Sequence, residues 1–133
     1  MFEWNSCYCL EIEVVDGQHR NLFRLATELQ SAIEARHSQQ VLADLTDGIV
    51  RNAQAHFQRE ERMMLEAHYP NLAAHKAEHD ALLLQLRHFQ RAQESGRIAM
   101  GLKFLRFLNN WLEQHIMQTD RLYVPYLKAK SVA

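Results

Sequence analysis

The chain has little of what interrupts a helix. Only four glycines and two prolines punctuate its 133 residues, so few turns are encoded and the helices between them should be long. Long apolar runs are absent too: no stretch reaches the roughly eighteen residues that cross a bilayer. The N-terminus, MFEWNSCYCLEIEVVDG, lacks the basic start and apolar centre of a secretory leader. A cytoplasmic protein without membrane insertion is therefore expected. Charge of one sign is missing as well, with 16 acidic against 15 basic side chains and no block of like charges, which argues against a nucleic-acid surface or a polybasic membrane patch. The two cysteines, Cys7 and Cys9, stand too close in sequence for an ordinary structural disulfide and read as reduced thiols in an N-terminal arm, a zinc or redox pair being the alternative.

What the chain does have is apolar periodicity. Nearly half its residues are apolar (47%), enough for one core in a single domain over residues 1–133. Residues 1–15 carry Trp4, Tyr8, Leu10 and Ile12 in partial alternation, but a lone strand has nothing to pair with, so an extended arm packed on the remainder is expected. Asp16 then offers a side-chain oxygen as N-cap, and Leu22, Phe23, Ala26, Leu29 and Ile33 recur at helical spacing. This predicts a first helix over about 17–37, followed by helices over about 39–66, 71–93 and 97–118, with breaks at Arg36–Gln40, Tyr69-Pro70 and Ser95-Gly96. A short C-terminal tail should lie over the bundle. Four helices with short connections make an all-α, antiparallel up-down-up-down four-helix bundle.

Histidines supply the chemistry. Residues 56–79 contain His-x-x-x-Glu (His56, Glu60) and His-x-x-x-His (His75, His79), and residues four apart share one helix face, so each pair could hold an ion. Imidazole and carboxylate donors suit iron, zinc or manganese. His19 and His115 also fall on apolar faces. In the expected bundle His19 lies near the start of helix one, His56 and Glu60 near the end of helix two, His75 and His79 near the start of helix three, and His115 near the end of helix four. All meet at one end. Burying so many imidazoles without partners would cost about 1–3 kcal/mol per unsatisfied group, which points to a metal. His37, His68 and His88 fall off these faces and should be exposed. Asp120 follows His115 by five residues, about 140° round an ideal helix. It can join the site only if the helix ends or widens into a π turn there; otherwise it is a polar residue at a helix end.

These motifs resemble those of the bacterial hemerythrins, single-domain members of a di-iron oxygen-binding family. The resemblance is carried by VVDGQHRNLF at 14–23, HFQREERMM at 56–64, YPNLAAHKAEH at 69–79 and WLEQHIMQTDRLYVPYL at 111–127, with Trp4 ahead of them. It implies that His75, His79 and His115 bind one iron, that His19 and His56 bind the other, and that Glu60, Asp120 and an oxo or hydroxo group bridge the two ions (Fe2+/Fe3+). Counting those donors leaves one octahedral position open, on the iron with two histidines. Dioxygen, the implied partner, would bind there reversibly as a hydroperoxide, for storage, transport or delivery. Phe57, Met64, Trp111, Leu112 and Ile116 lie within a turn of the ligands and would line the oxygen pocket, excluding water.

Other readings remain. Di-iron oxygenases on similar bundles use Glu-x-x-His pairs, and none falls on the ligand faces here. A carrier rather than an enzyme is expected, with a peroxidase or oxidase activity as one alternative. Oxygen or nitric-oxide sensing is another, and it would need a separate signalling or oxygen-consuming protein as partner.

Overall fold

The computed structural model describes residues 2–94 and 99–132. Among them there is no strand. Four long helices, α1 (Glu13–Glu34), α2 (Gln39–Glu66), α3 (Leu72–Glu94) and α4 (Ala99–Gln114), form the bundle. α4 continues into one π turn at His115–Thr119 and a 3-10 turn at Asp120–Tyr123, and the chain then enters a short helix, α5 (Val124–Val132). Each long helix packs against its sequence neighbours, and α4 closes the ring against α1. The start of α1 meets the end of α2 through His19 and Glu60, and the end of α2 meets the start of α3 through Glu60 and His75, so these successive helices run antiparallel. The expected break at Ser95-Gly96 and the expected start of the fourth helix lie outside the described residues.

Local chemistry explains the helix ends. Ser38 caps α2 by accepting a hydrogen bond from the Val41 amide (3.3 Å). Both α1 and α2 finish with a residue in the left-handed region that is not glycine, Arg36 (φ 56°) and His68 (φ 57°). After α2 the Tyr69 amide reaches back to the Met64 carbonyl (3.0 Å) and the His68 amide to that of Leu65 (3.1 Å). Those bonds satisfy carbonyls that the helix leaves open, and the side chains of Met64 and Tyr69 bury together across the turn. Pro125 sits in the first turn of α5, where its missing N–H costs no hydrogen bond. The expected tail is thus a helix.

The first helix departs from its expected start. It begins at Glu13, without a side-chain cap, and Asp16 lies inside its first turn. The Asp16 carboxylate instead accepts the amides of Leu10 (2.9 Å) and Glu11 (3.1 Å). The reason is the arm, which folds back over the helix start and brings its own unpaired amides to the carboxylate that would otherwise have served as a cap. Elsewhere in the arm, Trp4 and Tyr8 each set an edge contact on Phe23 and lie tilted to one another, with ring centroids 5.3–5.6 Å apart, and the Tyr8 hydroxyl donates to Glu113 (3.0 Å).

Two apolar clusters fill the interior. The larger contains Phe23, Leu29, Ile49, Phe57, Leu86, Leu105, Leu112 and Ile116 among others. The smaller, formed by Leu10, Val15, Met64, Tyr69, Tyr123 and Leu127, gathers the start of α1 and the end of α2 with residues of the arm, the turn after α2 and the C-terminal segment. Between them is a layer of buried polar side chains.

Candidate metal centre

Every ligand-type residue singled out from the sequence is in that layer. His19, His56, Glu60, His75, His79, His115 and Asp120 are all buried, Glu60 and Asp120 completely. Helical spacing accounts for six of them: each follows or precedes an apolar contact on the inward stripe of its helix. Asp120 depends on the π turn. By widening one turn after His115, the helix brings Asp120 Oδ1 to 2.9 Å from His115 Nε2, which five residues of regular helix could not do.

The two carboxylates divide the histidines between them. Glu60 Oε1 lies 2.9 Å from His75 and 3.0 Å from His79, while its Oε2 lies 3.1 Å from His56 and 3.8 Å from His19. Asp120 repeats the pattern, with Oδ1 2.9 Å from both His75 and His115 and Oδ2 3.2 Å from His19. The donor atoms therefore sort into a group around His75, His79 and His115 and a group around His19 and His56, with Glu60 common to both.

Protons alone serve this arrangement badly. All five imidazoles point Nε2 inward. His79 Nε2 and His115 Nε2 face each other at 3.2 Å. His75 Nε2 lies 2.9 Å from an oxygen of both carboxylates, but the single hydrogen it can carry serves only Glu60. Both oxygens of Asp120 are buried yet make no hydrogen bond of proper geometry. Convergent lone pairs left without donors fit cations at the two foci, and imidazole with carboxylate is a donor set that iron, zinc and manganese accept.

Electrostatics in the metal-free fold point the same way. Burial pushes the Glu60 carboxyl up, but His56, His19 and His75 outweigh it and hold the group well below the usual carboxylate range. Asp120 is raised by burial and by Glu60, yet His115 and His19 bring it below its ordinary value. Burial lowers His19 and His75, and the two carboxylates overcome that and raise each to about 9. The site is thus a store of negative charge that attracts either protons or metal.

Apolar and aromatic groups close it. Phe57 stacks on His79 with ring centroids 3.9 Å apart, and Trp111 stacks on His115 at 4.1 Å. Phe57, Leu112 and Ile116 are buried in the larger cluster and Trp111 packs against it. Met64 is buried in the smaller cluster, apart from the other four. His37, His68 and His88 are exposed.

Sequence reasoning missed three participants. The Tyr123 hydroxyl donates to Glu60 Oε2 at 3.0 Å, and its ring lies against His75. Burial, with Glu60 and Asp120 nearby, pushes its phenol well above the ordinary range, so it stays a donor. Glu61 accepts from His79 Nδ1 at 2.8 Å. Gln18 Oε1 contacts His56 Nδ1. Glu61 follows Glu60 directly and Gln18 precedes His19, so adjacency to a ligand was the available signal.

Comparison with known proteins gives one answer. The family profile described as hemerythrin HHE cation binding domain matches residues 10–127. A bacteriohemerythrin from Methylococcus capsulatus is 32% identical over 130 residues, covering 97% of this chain and 98% of that protein. Myohemerythrin-1 from Phascolopsis gouldii is 29% identical over 126 residues, covering 92% and 91%. A crystal structure of wild-type hemerythrin superposes with a TM-score of 0.83 at 28% identity, covering 94% of this chain and 96% of the other.

Proposed function

The chain belongs to the hemerythrin family, and from that premise we propose that it holds two iron ions and binds dioxygen reversibly, as a carrier or store rather than as an enzyme. The observation that carries this reading is the division of Glu60 and Asp120, each with one oxygen toward two of the three histidines His75, His79 and His115 and the other toward His19 or the His19–His56 pair. Two carboxylates so placed serve two cations, and three imidazoles against two leave the second cation the poorer in protein donors. An external diatomic molecule has its place there. Iron ions held there would supply redox chemistry, lending electrons to dioxygen and recovering them on release.

The protein's own groups do the rest. Glu60 and Asp120 would bridge the ions, His75, His79 and His115 would hold one, and His19 and His56 the other. Tyr123 orients Glu60 by donating to Oε2. Phe57, Leu112 and Ile116 with Trp111 keep water and protons from the pocket, which favours release of intact dioxygen over further reduction. The whole chain acts as one domain. Among the described residues no helix is long and apolar enough to cross a membrane. The free thiols Cys7 and Cys9 suit a reducing compartment, and we place the protein in the cytoplasm.

An absorption spectrum of the iron-loaded protein under alternating argon and air tests the reading. A change from nearly colourless to coloured that reverses over repeated cycles, at about two irons per chain, is expected. Rapid and irreversible oxidation in stopped-flow mixing of the reduced protein with oxygen would sink the carrier assignment in favour of an oxidase or peroxidase.

A further inference from the structure

We propose that Glu61 and Gln18 are the positioning residues of the two halves of the centre, and that the charge difference between them makes the His75–His79–His115 half take up metal first. The inference rests on the two-metal reading above and concerns how unequal its halves are.

The juxtaposition is symmetrical in geometry and asymmetrical in charge. Glu61 Oε2 accepts from His79 Nδ1 at 2.8 Å, which fixes the imidazole tautomer and leaves the Nε2 lone pair facing Glu60 Oε1, 3.0 Å away. Across the bundle Gln18 Oε1 makes the corresponding contact with His56 Nδ1, leaving His56 Nε2 toward Glu60 Oε2 at 3.1 Å. Both outer groups lock the same tautomer. Only one is a carboxylate. An anionic acceptor behind an imidazole makes the ligand nitrogen more electron-rich and partly offsets the cation's charge, whereas an amide orients the ring without adding charge. His19 and His75 each bury Nδ1 with no hydrogen-bond partner, so they contribute no such difference between the halves. Glu78, 3.6 Å from His115 Nδ1, adds a second and more distant negative charge on the three-histidine side.

Glu61 is also placed to stay where it is. Its side chain is 20% exposed, at the edge of a groove between α2 and α3 lined by Gln58, Lys76 and Asp80. Partial burial beside the stacked Phe57 and His79 rings strengthens its hydrogen bond relative to a fully hydrated one.

The test is anaerobic titration of the metal-free full-length protein with cobalt(II) ions, followed by calorimetry and visible absorption. Wild type should bind in two steps, the first at least tenfold tighter. Glu61→Gln, which keeps an acceptor but removes the charge, should weaken the first step by about tenfold and leave the second unchanged. Gln18→Glu should tighten the second step and narrow the gap. His56→Ala should retain the tight step and lose the weak one. Helicity by circular dichroism verifies that each variant folds. Two equal steps in wild type, or a Glu61→Gln titration identical to wild type, overturns the proposal while leaving the two-metal reading intact. Binding that never exceeds one cobalt per chain defeats both.

Discussion

Tyr123 hands its hydroxyl hydrogen to Glu60 Oε2 over 3.0 Å in a fully buried setting, tying the chain after the π turn to the carboxylate at the centre of the site. The bond does two things. It gives Glu60 a neutral donor that persists whatever the protonation of the histidines, and it holds the segment Asp120–Tyr123 against α2.

Removing that hydroxyl should therefore be felt in stability and at the metals. Tyr123→Phe should cost the metal-free protein about 1.5–3 kcal/mol, as expected for a buried hydrogen bond to a charged group, measured by urea denaturation. In the iron-loaded protein it should shift the visible absorption bands by altering one carboxylate ligand. Unchanged stability would mean that the Tyr123–Glu60 hydrogen bond contributes nothing net to the fold.

The ligand assignment predicts loss of iron on removal of a single histidine. His79→Ala and His56→Ala should each lower bound iron below the wild-type content, by metal analysis after exhaustive dialysis. Each should also reduce the rise in Tm that metal binding confers, because ions that bind the folded state alone stabilise it. Wild-type iron content in either variant would remove that residue from the set.

Metal uptake should release protons. In the metal-free fold His19 and His75, normally near 6.5, are raised to about 9 by the carboxylates that overcome their burial. Groups raised on folding contribute stability that is complete below 6.5 and is lost as pH climbs through 9. The metal-free protein should accordingly weaken across that window, while metal affinity strengthens because fewer protons must be displaced. Calorimetric titrations at pH 7 in buffers of different ionisation enthalpy should report net proton release, and a release independent of pH between 6.5 and 9 would contradict the assignment.

His68 offers a test remote from the site. Its φ of 57° places a side chain in the left-handed region that glycine occupies without strain, and its side chain is exposed. His68→Gly should stabilise the protein by about 0.5–1 kcal/mol, because relief of left-handed strain exceeds the entropy that glycine loses on folding. Thermal unfolding measures it, and no change in iron content should accompany the gain.

The architecture and most of the site were legible because both follow from helical periodicity. Leu22, Phe23, Ala26 and Leu29 announce one stripe, and His56 and Glu60 continue another. Once the stripes pack antiparallel, His19, His56, His75, His79 and His115 must share a level. Nothing beyond a 3.6-residue repeat and short connections is needed for that. Asp120 was a different case, since its place depends on a turn whose width single-residue spacing leaves open.

The sequence alone thus determined the four helices, the inward histidines and the family motifs, because local period and residue type are properties of the chain itself. Tertiary structure decided what depends on contacts between distant segments. Asp16 clasps the arm rather than capping α1 because the arm returns to it. Tyr123 meets Glu60 across 63 residues, and Glu61 meets His79 across 18. Only the packed bundle makes Glu60 and Asp120 each face both groups of histidines. The pairs His56–Glu60 and His75–His79, each four apart on one helix, could have held a single ion each. Folding made them parts of one centre.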